Sequence, residues 1–320
     1  MPKISVIIPV YGVEKYIERC SRSLFEQTLD DIEYIFINDC TPDKSIDILA
    51  SLLKEYPHRR KAVKIIEMNH NSGQAAVRNK GIELATGDYV IHCDSDDYVN
   101  VDMYRTMWEK ALDTSADIVI CGANEYYPDG THLRHKHSVD DIDLLTYILS
   151  SPWGGTLWNK LVKREIVQDT SIIMPNDNFW EDLALTVQYS LRCKKWAHIS
   201  QELYNYCRRE DSIIGSSNSA NNTKRDHTIQ ASQNYDIVVK AIKQSGKESQ
   251  YKQLTIRRQL FIKNQLLPLM PFKGCTSLWR SLCHKSNWQI LFSPYISNKE
   301  KAAFLITYFG LYSLLARFKF

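Results

Sequence analysis

Residues 89–97 read Tyr89-Val90-Ile91-His92-Cys93-Asp94-Ser95-Asp96-Asp97. A short apolar run with β-branched residues runs straight into three carboxylates within four positions. The run has the composition of a strand buried on both faces, as parallel sheets require. Working outward, the same signal recurs. Lys3–Val10 is a continuous apolar run containing Pro9, Ile32–Ile37 is a second, Val63–Ile66 a third, and Asp117–Cys121 a fifth after Tyr89–Cys93. Helical patterns alternate with them over Val13–Gln27, from Asp43 through Leu53, over Gln74–Ala85 and over Met103–Leu112. Strands alternating with amphipathic helices predict an α/β domain with a mostly parallel sheet covered on both faces. Ligands of such sheets bind beyond the carboxyl ends of the strands. Those ends are Pro9-Val10-Tyr11, Asn38-Asp39, Asn69-His70-Asn71 and Asp94–Asp97.

The rest of the chain bounds the function. With 320 residues, 44% hydrophobic and 24% charged, it is an ordinary globular sequence. Eight cysteines without a CxxC pair support neither a zinc ribbon nor a disulfide scaffold and suit a reducing cytosol. The opening MPKISVIIPVYG is interrupted too soon to read as a signal peptide. The net charge of +3 hides an asymmetry: residues 216–320 hold 16 Lys or Arg against 4 Asp or Glu, and 1–215 hold 24 against 33. The acidic part does not suit nucleic acid, whereas the basic part suits an anionic partner such as a membrane surface. After Tyr126 the alternation becomes irregular. A helix is expected near Ile142–Leu149 and another over Asp182–Leu191, and a Ser/Asn-rich bridge at 216–222 separates a domain at 1–215 from a basic helical region at 216–320.

Three carboxylates crowded at a strand end repel one another unless a cation sits among them, and hard oxygen ligands suit Mg²⁺ or Mn²⁺. The competing reading is an acidic turn before a helix. Neither GxGxxG nor GxxxxGK[ST] occurs, so a phosphate-bearing ligand would be held by the metal rather than by a glycine nest. Asp39 could accept a hydrogen bond from a base N–H, or cap a helix. Arg78 could set a planar cation against a nucleotide, or be a solvated helix residue. Glu181-Asp182 follows Phe179-Trp180 and opens a helix; a carboxylate beside Trp180 suits a general base, although acids favour helix N-termini in any case. His132, His135 and His137 read as exposed loop histidines rather than a zinc site.

Together these blocks resemble a family 2 glycosyltransferase of the GT-A fold. The resemblance covers residues 3–215 and rests on Ile7-Ile8-Pro9-Val10-Tyr11, Ile37-Asn38-Asp39, Asn71-Ser72-Gly73 with Ala76–Gly81, Gly87-Asp88-Tyr89, Asp94–Asp97, Glu181-Asp182, and Tyr204-Asn205-Tyr206 with Ser212-Ile213. It implies that Pro9, Tyr11 and Asp39 hold the base, usually uracil, with Asn71 and Arg78 beside the nucleotide. Asp94, Ser95 and Asp96 match the D-x-D segment, Asp96 as the direct metal ligand and Asp94 nearer the ribose. Asp182 matches the catalytic base. Trp158, Lys160, Trp180 and Glu181 fall on the acceptor side, and Arg208, Arg209 and Ser212 lie on the segment closing over the diphosphate. Phe179-Trp180 stands where glycine is commoner.

The function implied is an inverting transfer of a hexosyl or N-acetylhexosaminyl group from a nucleotide-diphospho-sugar to a glycan or lipid-linked glycan, with Mn²⁺ or Mg²⁺ and no nucleic acid. A nucleotidyltransferase making sugar nucleotides is less well matched, since Tyr11-Gly12-Val13-Glu14-Lys15 lacks a glycine-rich basic loop. A non-catalytic sugar-nucleotide scaffold is opposed by the intact acids. At the far end, 299–320 combines Phe304, Leu305, Tyr308, Phe309 and Leu311 with flanking Lys299, Lys301, Arg317 and Lys319. That mixture suits peripheral contact with an anionic membrane, placing the chain in the cytoplasm at the inner face of the cell membrane; the competing reading is a C-terminal helix docked on the catalytic domain with its basic face solvated.

Overall fold

The computed structural model describes residues 2–135, 142–209, 221–270 and 274–311. In chain order its elements begin β1 (Ile4–Val10), α1 (Ile17–Phe25), β2 (Ile32–Asn38), α2 (Ser45–Leu52), β3 (Val63–Glu67), α3 (Gly73–Leu84), β4 (Tyr89–His92), β5 (Tyr98–Val99), α4 (Met103–Thr114), β6 (Ile118–Tyr126) and β7 (His132–His135). They continue with α5 (Leu144–Ser150), β8 (Lys160–Lys163), α6 (Arg164–Val167), α7 (Glu181–Arg192), β9 (Trp196–Cys207), α8 (Asn221–Gln244), α9 (Glu248–Asn264), α10 (Cys275–Ser281), α11 (Asn287–Phe292) and α12 (Asn298–Tyr308). The chain divides into two compact units. One takes in Met1–Leu144, Thr156–Asn178 and Arg192–Gly215; the other takes in Leu145–Gly155, Phe179–Leu191 and Ser216–Phe320. Two internal segments thus group with the basic helical region.

The first unit is built on one sheet, ordered β3-β2-β1-β4-β8-β6-β9-β5, with β7 paired to β6. β1 pairs in parallel with β2 and β4, and β2 with β3. Both flanks of β1 are hydrogen-bonded and its Ile4, Val6, Ile7, Ile8 and Val10 have no exposed surface, as the unbroken apolar run predicts. Gly81 lets α3 lie close on this strand: a Cβ there would stand 2.3 Å from Ile7 Cγ2. Beyond β4 the sheet is mixed. β8 runs antiparallel to both β4 and β6, while β9 returns parallel to β6 across an irregular register at Cys121–Ala123. The sequence pattern does not reveal β8, which has only four residues, and it stops β6 at Cys121, where the register breaks. His132 and His135 lie on β7 of the short β6–β7 ribbon. His132 stacks on Tyr126 at 4.6 Å, His135 meets the Glu125 carboxylate at 2.7 Å, and His137 lies outside the described residues.

The second unit is helical. Gly246, at φ +75°, turns the chain between α8 and α9. Ile256, Leu260, Leu266, Trp279, Ile290 and Phe304 pack into one core. The ammonium of Lys263, fully buried, donates to the carbonyls of Trp279 and Leu282 at the end of α10, a C-terminal cap supplied by another helix. Burial pushes its pKa down to about 8. α12 opens with a capping box between Ser297 and Glu300. Phe304, expected in an interfacial run, instead packs inward against Trp279 at 5.0 Å, and residues 312–320 of that run lie outside the described ones. Among the described residues no helix is long and apolar enough to cross a membrane.

Candidate functional site

The parallel register brings four strand ends to one edge, because Val10 is opposite Asn38 and Asn38 opposite Glu67, while Ile7 is opposite His92. Pro9, Tyr11, Asp39, Asn71 and Asp94–Asp97 therefore share that edge. The loops are stitched together. Gly12 N–H donates to Thr41 Oγ1 at 2.9 Å, and Thr41 N–H donates to Asn38 Oδ1 at 2.8 Å. Asp43 accepts from the backbone of Glu14 and of Ser45, which tethers the first loop and supports the start of α2. Despite partial burial, its hydrogen bonds from Ser45 and Thr41 hold its pKa at about 2. Tyr11 is half exposed above these loops, and Asn71 is exposed.

Asp39 is buried and its two oxygens accept from the N–H groups of Ser72 and Gly73, at 2.7 and 2.8 Å. It thus caps α3 across the strand ends rather than the helix that follows it in sequence. Asn178 Oδ1 accepts from Ala75 N–H at 3.0 Å on the same helix turn. Gly73 holds φ +82° there, and a Cβ would stand 2.2 Å from the Asn178 amide.

The three acids separate into different roles. Asp97 is fully buried, accepting from Tyr204 Oη–H at 2.7 Å and from Cys207 N–H at 2.7 Å. Burial, with Asp96 and Asp94 adding, raises its pKa well above the ordinary carboxylate value. It ties the turn to β9. Asp94 faces Arg78 Nη2 at 2.8 Å, and its backbone N–H donates to Tyr204 Oη. Asp96 faces Arg209 Nε at 2.9 Å; burial and then Asp94 push it up to about 6. Ser95 is buried between them. Arg19 donates to the Asp96 carbonyl at 2.8 Å.

Two carboxylates with counter-cations drawn onto them fit a divalent ion. Asp96 is pushed up by burial and then by the neighbouring Asp94 charge, both of which a cation would offset, and Mg²⁺-type sites take one or two carboxylates plus substrate phosphates. Among the described residues no group of three acidic, His or Cys side chains makes a closed protein cage.

Trp158 and Lys160 are buried, with 4% and 2% exposed. The Trp158 ring stacks on Tyr204 at 4.3 Å, under the residue that braces Asp94 and Asp97, and Lys160 Nζ donates to Thr156 O and Asn159 Oδ1. Of the arginines after β9, Arg209 reaches Asp96, whereas Arg208 pairs with the buried Glu125. Ser212 lies outside the described residues.

Trp180, Glu181 and Asp182 belong to the second unit. Glu181 is buried and Asp182 partly exposed in the first turn of α7. Trp180 holds φ +68°, a left-handed conformation that glycine adopts freely and an indole residue does not. The helical region fixes this corner. Asn234 Nδ2 donates to Phe179 O at 2.9 Å, His227 stacks on Phe179 at 4.8 Å, and Phe261 stacks on Trp180 at 5.9 Å. Arg258 donates to Leu149 O and Ser151 O and lies over the Trp180 ring.

The sequence model described as "Glycosyl transferase family 2" matches residues 5–177. The chain belongs to glycosyltransferase family 2. Among family relatives it is 30% identical over 222 residues to the glycosyltransferase EpsJ of Bacillus subtilis, a match spanning 67% of this chain and 63% of the relative. Among solved structures, S. aureus TarS 1–349 in complex with UDP-GlcNAc aligns with a TM-score of 0.61 at 18% identity, over 98% of this chain and 91% of that one. A Pyrobaculum calidifontis mannosyltransferase in complex with GDP-Man and Mn²⁺ aligns with a TM-score of 0.56 at 14% identity, over 98% and 86%. These likenesses show the GT-A fold.

Within this family 2 fold, sequence reasoning did not single out Arg19, Tyr204 and Asn178 as parts of the site. Arg19 is an unremarkable α1 arginine until the fold places it by Asp96. Tyr204 was visible only as part of a motif, and only the β9 path shows its hydroxyl bridging Asp94 and Asp97.

Proposed function

We propose that this family 2 enzyme is an inverting glycosyltransferase that moves a hexosyl or N-acetylhexosaminyl group from a UDP-sugar to a hydroxyl of a glycan or lipid-linked glycan. It works in cell-surface polysaccharide assembly, in the cytoplasm at the inner face of the cell membrane, with 1–215 as the catalytic domain and 216–320 as a helical region serving it. The supporting observation is the single sheet edge where Tyr11, Asp39, Asp94 and Asp96 meet Arg78 and Arg209. Tyr11, with Pro9 and Asp39, receives the uracil, and Arg78 holds Asp94 beside the ribose.

Asp96 and Asp94 would hold Mn²⁺ or Mg²⁺, which when bound neutralises charge on the leaving diphosphate. Arg209, which reaches Asp96, donates to the same phosphates, and Arg208 and Ser212 belong to the same sequence segment that closes over the diphosphate. Asp182 accepts the proton of the acceptor hydroxyl as that oxygen forms its bond to the anomeric carbon. The bond from that carbon to the β-phosphate oxygen breaks, its electron pair leaves with UDP, and the configuration inverts. Two carboxylate sites are required because one binds charge while the other titrates. Trp180 and Glu181, together with Trp158 and Lys160, serve the acceptor side.

Calorimetry of UDP with and without Mn²⁺, on the native chain and Asp96→Asn, tests the reading. Metal-dependent UDP binding that Asp96→Asn loses is expected; equal binding by both proteins removes Asp96 from the donor site. A thermal-shift panel of nucleotide sugars then identifies the donor, because a ligand at 100 times its Kd stabilises by about 2.7 kcal/mol.

A further inference from the structure

Trp279 and Phe304 lie in the core of the C-terminal helices, with Tyr308 packed against it, but a further group of rings is exposed. Trp288 and Phe292 stand one helical turn apart on α11, so they share a face. They are 59% and 82% exposed, although Ile290 between them is fully buried. Trp288 continues into Tyr308, 5.8 Å away, and Tyr308 into Phe309, 5.6 Å away and 63% exposed. Single exposed apolar residues need no explanation, but a run of rings does. Its charge setting is one-sided. Arg280 is exposed, donates to Tyr308 O at 2.6 Å and lies over that ring. From 265 to 320 the sequence carries seven Lys or Arg and one acid, Glu300, whose carboxylate is engaged by Ser297 in the capping box.

We infer that the face formed by Trp288, Phe292, Tyr308, Phe309 and Arg280 docks on an anionic lipid surface. Aromatic rings seat at the depth of the headgroups, and Arg and Lys meet lipid phosphates with almost no carboxylate to repel them. A second copy presenting the same face would instead set Arg280 against its own counterpart. The inference deepens the membrane placement proposed above by naming the surface that makes the contact. It does not depend on the transfer reaction, and vesicle binding without nucleotide tests it separately from UDP calorimetry.

The test is co-sedimentation of the full chain with vesicles of phosphatidylcholine alone or containing phosphatidylglycerol, at low and high salt, for the native protein and for W288S/F292S. Both substituted rings are exposed, so thermal unfolding and UDP binding should be unchanged and serve as controls. Binding to the anionic vesicles, weaker but persistent at high salt and lowered at least about tenfold per ring by the substitutions, is expected. The inference is overturned if the native chain stays in the supernatant with anionic vesicles, or if W288S/F292S binds them as the native chain does. It is also overturned if light scattering shows a native oligomer that the two substitutions dissociate, which would make the face a contact between copies.

Discussion

Glu33 offers a test of the sheet that leaves the site untouched. It lies at the entry end of β2, opposite the edge where Asp39 and Asp94–Asp97 sit, and its side chain is buried. One oxygen accepts from Thr86 N–H at 2.6 Å, Thr86 Oγ1 at 2.8 Å, Gly87 N–H at 3.2 Å and the Ser5 hydroxyl; the other takes Lys64 Nζ at 2.7 Å. Replacing Glu33 by Leu does not cost all of these. Gly87 N–H keeps Ser5 Oγ at 2.8 Å, while Thr86 is exposed and Lys64 half exposed, so both rehydrate. The fully buried Ser5 hydroxyl loses its acceptor, and the charge-assisted bonds to the backbone disappear. The sum is about 2–4 kcal/mol, and about 1–2 for Glu33→Gln, which keeps an acceptor in place.

The pH dependence has a definite sign. Burial pushes the Glu33 pKa up, but hydrogen bonds from Lys64, Ser5 and Thr86 outweigh it and hold the folded value below the ordinary 4.5. Below 4.5 the unfolded chain takes the proton first, so stability is lost as pH falls through the folded value. Urea unfolding followed by circular dichroism should therefore show a gap between native and Glu33→Leu that is full at pH 7 and narrows in acid. A change under about 0.5 kcal/mol at pH 7, or a gap that stays constant into acid, would refute the reasoning.

If Asp182 is the base proposed above, Asp182→Asn should keep UDP affinity and lose about 10²–10⁴-fold in kcat, because such a base acts only when the acceptor gives up its proton; normal turnover in a steady-state assay hands that role to another group. Tyr204→Phe removes the hydroxyl bridging Asp94 N–H and Asp97, and should lower stability by about 1–3 kcal/mol and weaken metal-dependent UDP binding, as thermal unfolding and calorimetry would show. Lys263→Met strips two carbonyls of a buried ammonium and should cost about 2–4 kcal/mol in chemical denaturation. Because burial depresses Lys263 to about 8, native stability from this group should rise between about pH 8 and 10.5, and that rise should be absent in the variant.

Much of the α/β unit was legible because buried parallel strands leave unbroken apolar runs: β1, β2 and β4 begin and end within a residue or so of their sequence patterns. β8 and β9 were not, since a four-residue strand has no period and β9 crosses an irregular register. In the site, Asp94–Asp97 stood out as a cluster, but letters could not tell that Asp97 turns inward to Tyr204 while Asp94 and Asp96 face arginines. Asp39 was readable as a cap or a ligand, and the helix it caps became clear only when the strand ends were aligned. Trp180 carried a signal of another kind, a bulky residue where glycine is commoner, and the backbone there does adopt a conformation natural to glycine.

The hold of Asn234, His227 and Phe261 on Phe179 and Trp180 has a consequence for how the protein is made. The strands that gather Tyr11, Asp39 and Asp94 are all translated within the first third of the chain. The ring that braces Trp180 is synthesised about 80 residues after Asp182, which at 5–20 residues per second is roughly 4–16 s later on the ribosome. A nascent chain therefore owns the strand-end acids well before the corner bearing its second carboxylate pair is set. The order of synthesis itself delays the fixing of that corner until the helices that hold it have emerged.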